Sequence, residues 1–509
     1  MNAQPPRPPA SLELLTDVVR RAGVSAQLRG PGDVRVSTAS DDSRSVAPGE
    51  LFLARKGAHS DAHDHVAEAV GRGAAAAVVE RYVDVAVPQL RVSDGRRAAA
   101  LIAHFLEGEP SRRMRVTAVT GTNGKTTSTL LIRHVLAAEE PTAAIGTLGL
   151  MGPDGKVRPG SEGLTTPGPV RIARLLRELE EEGVTTVTLE ASSIALEQRR
   201  LDGLEVKVAV FTNFTQDHLD YHKTLKAYRE AKARLLLLVG GGGGVVVNGE
   251  DAAWAELPPI DSRLLVSRFE EGSAPGRPAC LGATAPDLVA TKVALTGEGS
   301  RFTVRWGGDE ATVSLPLLGR FNVENALSAL GAALLLGVGL AEGARRLSDA
   351  AAPVGRMEVT VRDPVPVILD YAHTPDALRR VLDTVRPLYS GRVILVFGAG
   401  GDRDRTKRPE MGGVAARGAD LAIVTSDNPR TEDPDAIVDD IVAGMRGASY
   451  ERITDRREAI ARALAVARPG DVVILAGKGH ETYQIVGAER RPFDERTVVR
   501  EILGSGRAA

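Results

Sequence analysis

Seven consecutive residues, Gly121-Thr122-Asn123-Gly124-Lys125-Thr126-Thr127, have the composition of a phosphate cradle. A β-branched run, Val116–Thr120, leads into them, and a helical pattern over Thr127–Ala138 follows. Backbone N–H groups of a glycine-rich turn, together with the positive end of a helix, bind phosphate oxygens. In such a loop Lys125 reaches the β- and γ-phosphates of a nucleotide, and the Thr126 hydroxyl suits Mg2+. The general pattern G-x-x-x-x-G-K-[ST] asks for glycine at position 119, where this chain has Val119, so the loop is a variant. The strand before it and the helix after it argue against a chance Gly-Lys-Thr turn.

Two further segments carry acids and imidazoles. A strand pattern over Thr185–Glu190 ends in Glu190-Ala191-Ser192-Ser193, and the strand Val206–Asn213 is followed by Asp217-His218-Leu219-Asp220-Tyr221-His222. In open parallel sheets ligands bind at the carboxyl ends of strands, so Glu190 and His218 could complete a Mg2+ shell beside the phosphates. On chemistry alone that reading and one of helix caps and surface residues are equally open. Lys232, in Ala231-Lys232-Ala233 on the next helix, reads by itself as a surface lysine with a snorkelling stem. His59, His63 and His65 could tempt a zinc reading, but no fourth ligand is evident and their spacing fits a solvated turn.

The elements that must position these residues fall into three blocks. Residues 11–112 mix helices (Leu12–Ala22, Arg96–Leu106) with short strands (Glu50–Ala54, Ala74–Glu80). Residues 113–354 alternate strand and helix, with helices expected over Val170–Glu182 and Leu225–Leu238 and a loop at Gly240–Gly244. Residues 355–509 alternate again: strands Val365–Leu369, Val393–Phe397, Leu421–Thr425 and Val472–Ala476, and helices Pro375–Leu388 and Arg457–Ala467. Ala352, Pro353 and Gly355 punctuate the junction of the last two blocks. Such alternation predicts an α/β chain of three domains with parallel sheets covered by helices.

Composition narrows the function classes. The 509 residues suffice for about three domains. Lys plus Arg (64) against Asp plus Glu (66) leaves a net charge of −2, which gives no electrostatic reason to expect nucleic acid or an anionic membrane as the main partner. A single cysteine, Cys280, excludes an intrachain disulfide framework and suits a reducing compartment. Met1–Ala10 is Pro-rich without an apolar core, so no signal peptide is expected. The longest uncharged apolar stretch, Ala326–Ala341, is shorter than the roughly 20 residues a membrane span needs and reads as a buried helix. A cytosolic, soluble protein is expected.

Taken together, the ordered segments closely resemble the Mur ligase family of ATP-dependent amide ligases. The resemblance is carried by G-T-N-G-K-T-T at 121–127, E-x-S-S at Glu190–Ser193, and F-T-N-x-x-x-D-H-L-D-Y-H at Phe211–His222. It continues through Y-x-x-A-K at Tyr228–Lys232, G-x-F-N-x-x-N at Gly319–Asn325, G-R-M-E at Gly355–Glu358, D-Y-A-H-T-P-D at Asp370–Asp376 and G-G-D-R-D-x-x-K-R-P at Gly400–Pro409. Within the family, Asp427-Asn428-Pro429-Arg430 and Gly477-Lys478-Gly479-His480-Glu481 are similar to the members that add meso-diaminopimelate.

The resemblance implies a fold: an N-terminal uridine-binding domain, a central P-loop ATPase-like domain and a C-terminal Rossmann-like domain. It also implies a reaction, in which meso-2,6-diaminopimelate is joined through an acyl phosphate to UDP-N-acetylmuramoyl-L-alanyl-D-glutamate, a cytoplasmic peptidoglycan precursor, as ATP goes to ADP. Gly121–Thr127 with Asn322 and Asp370 would bind ATP, placing it between the second and third blocks, with domain closure excluding water. Glu190, His218 and Thr126 would hold Mg2+. Lys232 matches a lysine that this family carbamylates with CO2, giving N6-carboxylysine, an anionic ligand for a second ion; a neutral amine, favoured by desolvation, is required. That replaces the surface reading. Thr165, Thr166, Ser192, Gln198 and Arg200 match contacts to the sugar-peptide, and Ser43 a contact to the UDP moiety, with the His59-Ser60 turn nearby. Arg403, Asp427, Asn428, Pro429, Arg430, Gly477 and Glu481 would contact diaminopimelate. Arg430 would grip the carboxylate at its far end, which L-lysine lacks and a planar guanidinium fits bidentately. The family leads to the expectation of a monomer.

Two departures stand out. The family commonly reads E-x-S-S-H, but Ile194 follows Ser193, and isoleucine can neither ligate a metal nor donate a hydrogen bond. The usual N-x-D-D is Asn248-Gly249-Glu250-Asp251. Competing readings are the lysine-adding form, another Mur step or a folylpolyglutamate-type ligase, and, outside enzymes, a nucleotide-binding scaffold. A scaffold would be expected to have lost Lys125, Glu190, His218 or Lys232, and all four are present.

Overall fold

The computed structural model describes residues 8–57, 60–160, 163–259, 263–270 and 287–505. Met1–Arg7, His59 and Cys280, on which expectations were placed, lie outside the described residues. The chain divides into two compact units: the first runs up to Thr291 and takes in Thr303–Thr312 and Glu324–Leu347, and the second holds Lys292–Phe302, Val313–Val323 and the chain from Ser348 onward.

In the first unit, the first block builds a sheet in the order Ala26–Arg29, Gln89–Val92, Ala76–Val79, Leu51–Leu53, Ala39–Ser40, parallel except for its first pair. Helices Leu12–Arg21 and Gly95–Leu106 cover it, each started by a side-chain cap, Ser11 and Asp94. Val170 and Ala173, from the helix Pro169–Glu181, join the same apolar cluster, so the first block packs directly on the second.

The second block's sheet orders its strands Val157–Arg158, Gly149–Met151, Thr142–Gly146, Thr186–Glu190, Arg115–Thr120, Val206–Phe211, Val239–Asn248, Arg263–Phe269 and Asp287–Thr296. From Thr142–Gly146 onward the pairs are parallel. The three central strands therefore end side by side, with Glu190 opposite Val119 and Phe211 opposite Thr120. Every residue of Val116–Thr120 and Thr186–Glu190 is buried, as both-face coverage by helices requires.

Two expectations need correction here. Gly240–Gly244 is not a loop but part of the strand Val239–Asn248. The register of this strand shifts between Val206 and Val208, and a Cβ at Gly244 would lie 2.8 Å from Leu335 Cδ1. Glycine fits because a neighbouring helix approaches the strand, which the bare composition could not reveal. The apolar stretch expected as one helix over Ala326–Ala341 is split into Arg320–Leu335 and Leu340–Leu347. Gly337, at φ +99°, stops the first: Val338 N donates to Ala333 O (2.9 Å), closing the last turn. Among the described residues no helix is long and apolar enough to cross a membrane.

In the second unit a six-stranded sheet runs Glu358–Val361, Val367–Asp370, Val472–Ala476, Val393–Phe397, Leu421–Val424, Tyr450–Arg452, parallel after its first pair. Strand residues alternate between two apolar clusters, Val393, Leu395 and Phe397 facing one and Ile394 and Val396 the other. The loops leaving the carboxyl ends of these strands begin at Tyr371, Gly398, Thr425 and Gly477, which gathers the chain's conspicuous polar segments at one edge.

Candidate active site

The phosphate loop is shaped by two glycines. Gly121 has φ +150° and a Cβ there would lie 1.8 Å from Thr212 Oγ1; Gly124 has φ +82° and a Cβ would lie 2.3 Å from Asn325 Oδ1. The loop is laced to the end of the neighbouring strand: Thr122 N donates to Asn213 O (2.7 Å), Asn123 N to Asn213 Oδ1 (2.9 Å), and Thr212 Oγ1 to Asn123 O (2.7 Å). Thr122 Oγ1 lies 3.3 Å from the Tyr228 hydroxyl. Gly124 caps the helix Lys125–Leu136, in whose first turns Thr126 and Thr127 are buried. Lys125 Nζ donates to Gly121 O (3.0 Å) and Thr122 O (2.9 Å), arching over the loop.

Glu190, 2% exposed, stands at the end of the adjacent strand. Its Oε1 accepts from Thr126 Oγ1 (3.0 Å) and Thr147 N (2.8 Å), and its Oε2 from Thr147 Oγ1 (3.1 Å). Lys232 is buried; its Nζ donates to Gly121 O (2.6 Å) and lies 4.4 Å from the centre of the Tyr228 ring. Burial, reinforced by Lys125, holds its pKa well below the usual lysine range. His218, left-handed at φ +51°, packs edge-on against the same ring at 6.3 Å, its Nε2 3.4 Å from Asp217 Oδ2. Its pKa is lowered by burial, against the raising effect of Asp217. Tyr228 thus packs against both Lys232 and His218.

Among the described residues no three His, Cys, Asp or Glu side chains are gathered as a ready metal cage. Mg2+ does not require one, since it keeps waters and takes one or two carboxylates plus substrate phosphates. The Thr126–Glu190 hydroxyl–carboxylate pair at the phosphate loop fits that ion. The buried Lys232 amine, whose pKa is pushed down by desolvation and by Lys125, fits carbamylation.

A second group lies across the first and second blocks. Thr166 Oγ1 donates to Glu190 O (2.7 Å) and accepts from Ser192 N (3.0 Å), while Thr165 Oγ1 accepts from Thr147 Oγ1 (3.3 Å). Arg200 Nη1 donates to Thr166 O (2.8 Å), and its Nε and Nη2 both reach Gln198 Oε1 (3.1 and 2.8 Å). Burial lowers the Arg200 pKa and the nearby Arg55 adds to it. Arg200 forms no ion pair among the described residues. Ser43 is elsewhere engaged: its Oγ donates to Glu68 Oε2 (2.8 Å). His63 spends both ring nitrogens on protein, Nδ1 on Asp61 (2.5 Å) and Nε2 on Glu80 N (2.7 Å). Next to Ile194, Ser193 Oγ meets His222 Nε2 at 3.0 Å.

The third group belongs to the second unit. Arg403 and Arg430 come from different loops, yet both border Gly400: a Cβ there would be 2.9 Å from Arg430 Nη1 and 3.7 Å from Arg403 Cγ. Arg430 Nη1 donates to Gly401 O (2.6 Å) and Arg403 Nη1 to Asp402 O (3.2 Å); neither forms an ion pair among the described residues. Pro429 O lies 1.9 Å from where a Gly401 Cβ would stand, so the loops touch through backbone. Asn428 Nδ2 donates to Glu481 Oε2 (2.8 Å), which also accepts from the buried Lys478 Nζ (3.1 Å); Asp427 Oδ1 is 3.9 Å from that ammonium. Gly477, at φ +114°, abuts Asp427 Oδ2.

Asn322 and Asp370 lie in this unit too. Asn322 is buried, its Nδ2 donating to Leu318 O (2.8 Å). Asp370 accepts Met357 N on Oδ2 and Ala372 N on Oδ1, both at 2.8 Å, which fixes the G-R-M-E turn; burial raises its pKa. Sequence reasoning passed over Asn325 and Lys478, although both stand inside quoted motifs: Asn325 Oδ1 accepts Ser128 Oγ (3.2 Å) on the phosphate-loop helix.

Residues 119–333 match the family model described as the Mur ligase middle domain, and residues 355–479 the one described as Mur ligase, glutamate ligase domain. The UDP-N-acetylmuramoyl-L-alanyl-D-glutamate–2,6-diaminopimelate ligase of Gloeobacter violaceus is 41% identical over 500 residues, covering 97% of this chain and 99% of the relative. A solved structure of a UDP-N-acetylmuramoyl-L-alanyl-D-glutamate–2,6-diaminopimelate ligase superposes with a TM-score of 0.70 at 34% identity, covering 98% of this chain and all of its own. MurF ligase from Thermotoga maritima in complex with ADP shares the fold alone, with TM-score 0.60 at 18% identity over 93% of this chain and 98% of its own.

Proposed function

Because the chain belongs to the Mur ligase family of ATP-dependent amide ligases, we propose that it adds meso-2,6-diaminopimelate to UDP-N-acetylmuramoyl-L-alanyl-D-glutamate, forming ADP and phosphate. The observation that carries the choice of amino acid is the pair Arg403 and Arg430, whose side chains both border Gly400 and form no ion pair with a carboxylate among the described residues. Such a pair suits an amino acid that carries a carboxylate at its far end. Lys478 and Asn428 hold Glu481 through one oxygen and leave Oε1 for the substrate's ammonium.

A carboxylate is a poor acyl donor, so the D-glutamate γ-carboxylate first takes the γ-phosphoryl group of ATP, releasing ADP. The amine of diaminopimelate then attacks the acyl phosphate, a tetrahedral centre forms, phosphate leaves with the C–O bond and the amine gives up a proton. The chain's part is positioning and charge neutralisation. Gly121–Thr127 cradle the phosphates, and Lys125 turns from the loop carbonyls to the γ-phosphoryl oxygens. Thr126, Glu190 and His218 would hold Mg2+, which when bound spreads the charge of the γ-phosphoryl. Lys232, as the carbamate formed from its neutral amine and CO2, would offer an oxygen ligand to a second ion. Thr165, Thr166, Ser192, Gln198 and Arg200 present donors to the peptide end of the sugar nucleotide, and Ser43 serves the UDP end once it leaves Glu68. Asn322 and Asp370 are assigned to the base and ribose of ATP. The domain borders 11–112, 113–354 and 355–509, a cytoplasmic location and a monomeric state belong to the same proposal.

Phosphate release by the purified protein with ATP, Mg2+ and UDP-N-acetylmuramoyl-L-alanyl-D-glutamate tests it, with meso-diaminopimelate and L-lysine compared. Turnover with diaminopimelate alone is expected. Turnover with lysine would keep the ligase and discard the role of Arg430; silence with both would return the scaffold reading, or the cost of Ile194.

A further inference from the structure

Beside Arg403 and Arg430 lies a third arginine that the reaction does not use. Arg408, in the first turn of the helix Lys407–Gly418, has a fully buried side chain. Its Nη1 donates to Glu432 Oε2 (3.0 Å) and Asp440 Oδ2 (2.8 Å), and its Nη2 to Glu432 Oε1 (2.7 Å) and Gly400 O (3.4 Å). Glu432 Oε1 also accepts Asp402 N (2.6 Å), and Glu432 N donates to Pro429 O (3.1 Å). Asp402 returns the connection by accepting Thr431 Oγ1 (2.7 Å) and Thr431 N (3.2 Å). The loop that carries Arg403 and the loop that carries Arg430 are thus stitched together on both sides of those residues.

A buried ion pair contributes little to stability compared with well-packed apolar residues; its better-attested use is to fix a register. The register fixed here is that of two loops whose arginine side chains, the Arg430 guanidinium and the Arg403 stem, border Gly400. Asp402 and Arg430 both have left-handed backbones, at φ +52°, which the surrounding hydrogen bonds must hold. We propose that Arg408, acting through Glu432, is a positioning residue that sets the spacing of the Arg403 and Arg430 guanidiniums and thereby the selectivity for an amino acid with a second carboxylate. The inference rests on the proposed function and deepens it. A lysine at this position keeps the charge but loses the fork, so it cannot hold Glu432 at two oxygens together with Asp440 and Gly400 O.

The test is steady-state kinetics of the full-length Arg408→Lys enzyme, each of the three substrates varied in turn, with Arg430→Ala measured in parallel. Displacement of a binding group by about 1 Å is enough for losses on the order of 10²-fold, so KM for diaminopimelate should rise roughly 10- to 100-fold. KM for ATP and for the sugar nucleotide should stay put, and the preference for diaminopimelate over L-lysine should narrow. An equal rise in all three KM values, or a fall in kcat alone, overturns the proposal and leaves Arg408 a merely structural residue. If Arg408→Lys does not melt cooperatively, Thr431→Val, at an exposed position and lacking only the hydroxyl to Asp402, carries the test. It should raise KM for diaminopimelate severalfold, and no change overturns the inference. If Arg430→Ala itself leaves diaminopimelate use intact, the assigned site is wrong, an outcome distinct from failure of the Arg408 variants alone.

Discussion

Replacing Arg430 by alanine should separate recognition of the amino acid from everything else the enzyme does. In the structure Arg430 is half-buried, spends Nη1 on Gly401 O and leaves the rest of its fork without a carboxylate among the described residues. Hydrogen bonds to charged groups contribute roughly 1.5–3 kcal/mol each, and truncating one partner of a buried charge pair costs about 2–5 kcal/mol. Because the site is half-open, water can solvate part of the orphaned substrate carboxylate, so the lower half of that range applies. At about 1.4 kcal/mol per factor of ten, kcat/KM for diaminopimelate should fall on the order of 10²-fold. L-Lysine has no far carboxylate to lose, so whatever turnover it supports should hardly change, and KM for ATP should be unaltered. Arg430→Lys, which keeps the charge and gives up the fork, should lie between the two. The assay is phosphate release with diaminopimelate, lysine and ATP each varied. Equal losses toward ATP and diaminopimelate, or none toward diaminopimelate, would refute the reasoning.

Other expectations address the phosphate loop and the buried titratable groups. Gly124→Ala puts a Cβ 2.3 Å from Asn325 Oδ1 at φ +82°, so calorimetric titration should show ATP affinity sharply reduced in a protein that still melts cooperatively; native-like ATP binding would count against the loop's assignment. With 13C-labelled bicarbonate the enzyme should give a carbamate resonance that Lys232→Gln lacks, and that variant should lose at least about 10²-fold in kcat; identical spectra would remove the modification from the mechanism. His104 is 1% exposed, neither ring nitrogen has a hydrogen-bond partner, and burial pushes its pKa down to about 4. Its neutral form is the folded one, so its stabilisation is complete above the unfolded pKa of 6.5 and is lost as pH falls from there toward 4, a total of ~3 kcal/mol. In urea titrations at pH 7.5 and 4.5, His104→Leu should therefore lose less stability on acidification than the parent, and equal losses would place the acid sensitivity elsewhere. His480, also pushed down to about 4, shifts in the same direction but is common to both proteins and cancels in the difference.

What could be read in the sequence was whatever a local pattern determines. Val393–Phe397 and Val472–Ala476 are strands at the expected bounds because short apolar runs between turn residues have few other ways to bury both faces. The phosphate loop was legible because its function is performed by consecutive backbone groups. The expected helix Leu225–Leu238 stays α-helical only to Ala233 and then tightens into a 3₁₀ turn over Arg234–Leu238, which holds four consecutive leucines. Gly240–Gly244 misled for the opposite reason: its meaning lies in the partner that approaches it, Leu335, about ninety residues away. Lys232 was ambiguous for the same cause. A lysine between alanines is a surface residue unless something covers it, and the cover, Tyr228 with the Gly121 carbonyl, comes partly from the distant glycine-rich loop.

That long-range component has a chemical signature which composition conceals. Two fully buried arginines are neutralised by the protein: Arg408 by Glu432 and Asp440, and Arg456 by Glu495, with Arg456 also tied to the carbonyls of Ser426 and Ala476. Arg200, Arg403 and Arg430 have no such partner among the described residues and instead donate to backbone carbonyls or to the Gln198 amide, acceptors without charge. A cation meant for an anionic ligand has to be held without being neutralised, because a resident carboxylate would compete with the substrate's own. Neutral acceptors meet that need: they fix the direction of the guanidinium and leave its charge uncompensated. These arginines could be told apart only after the fold had brought each one to its neighbours.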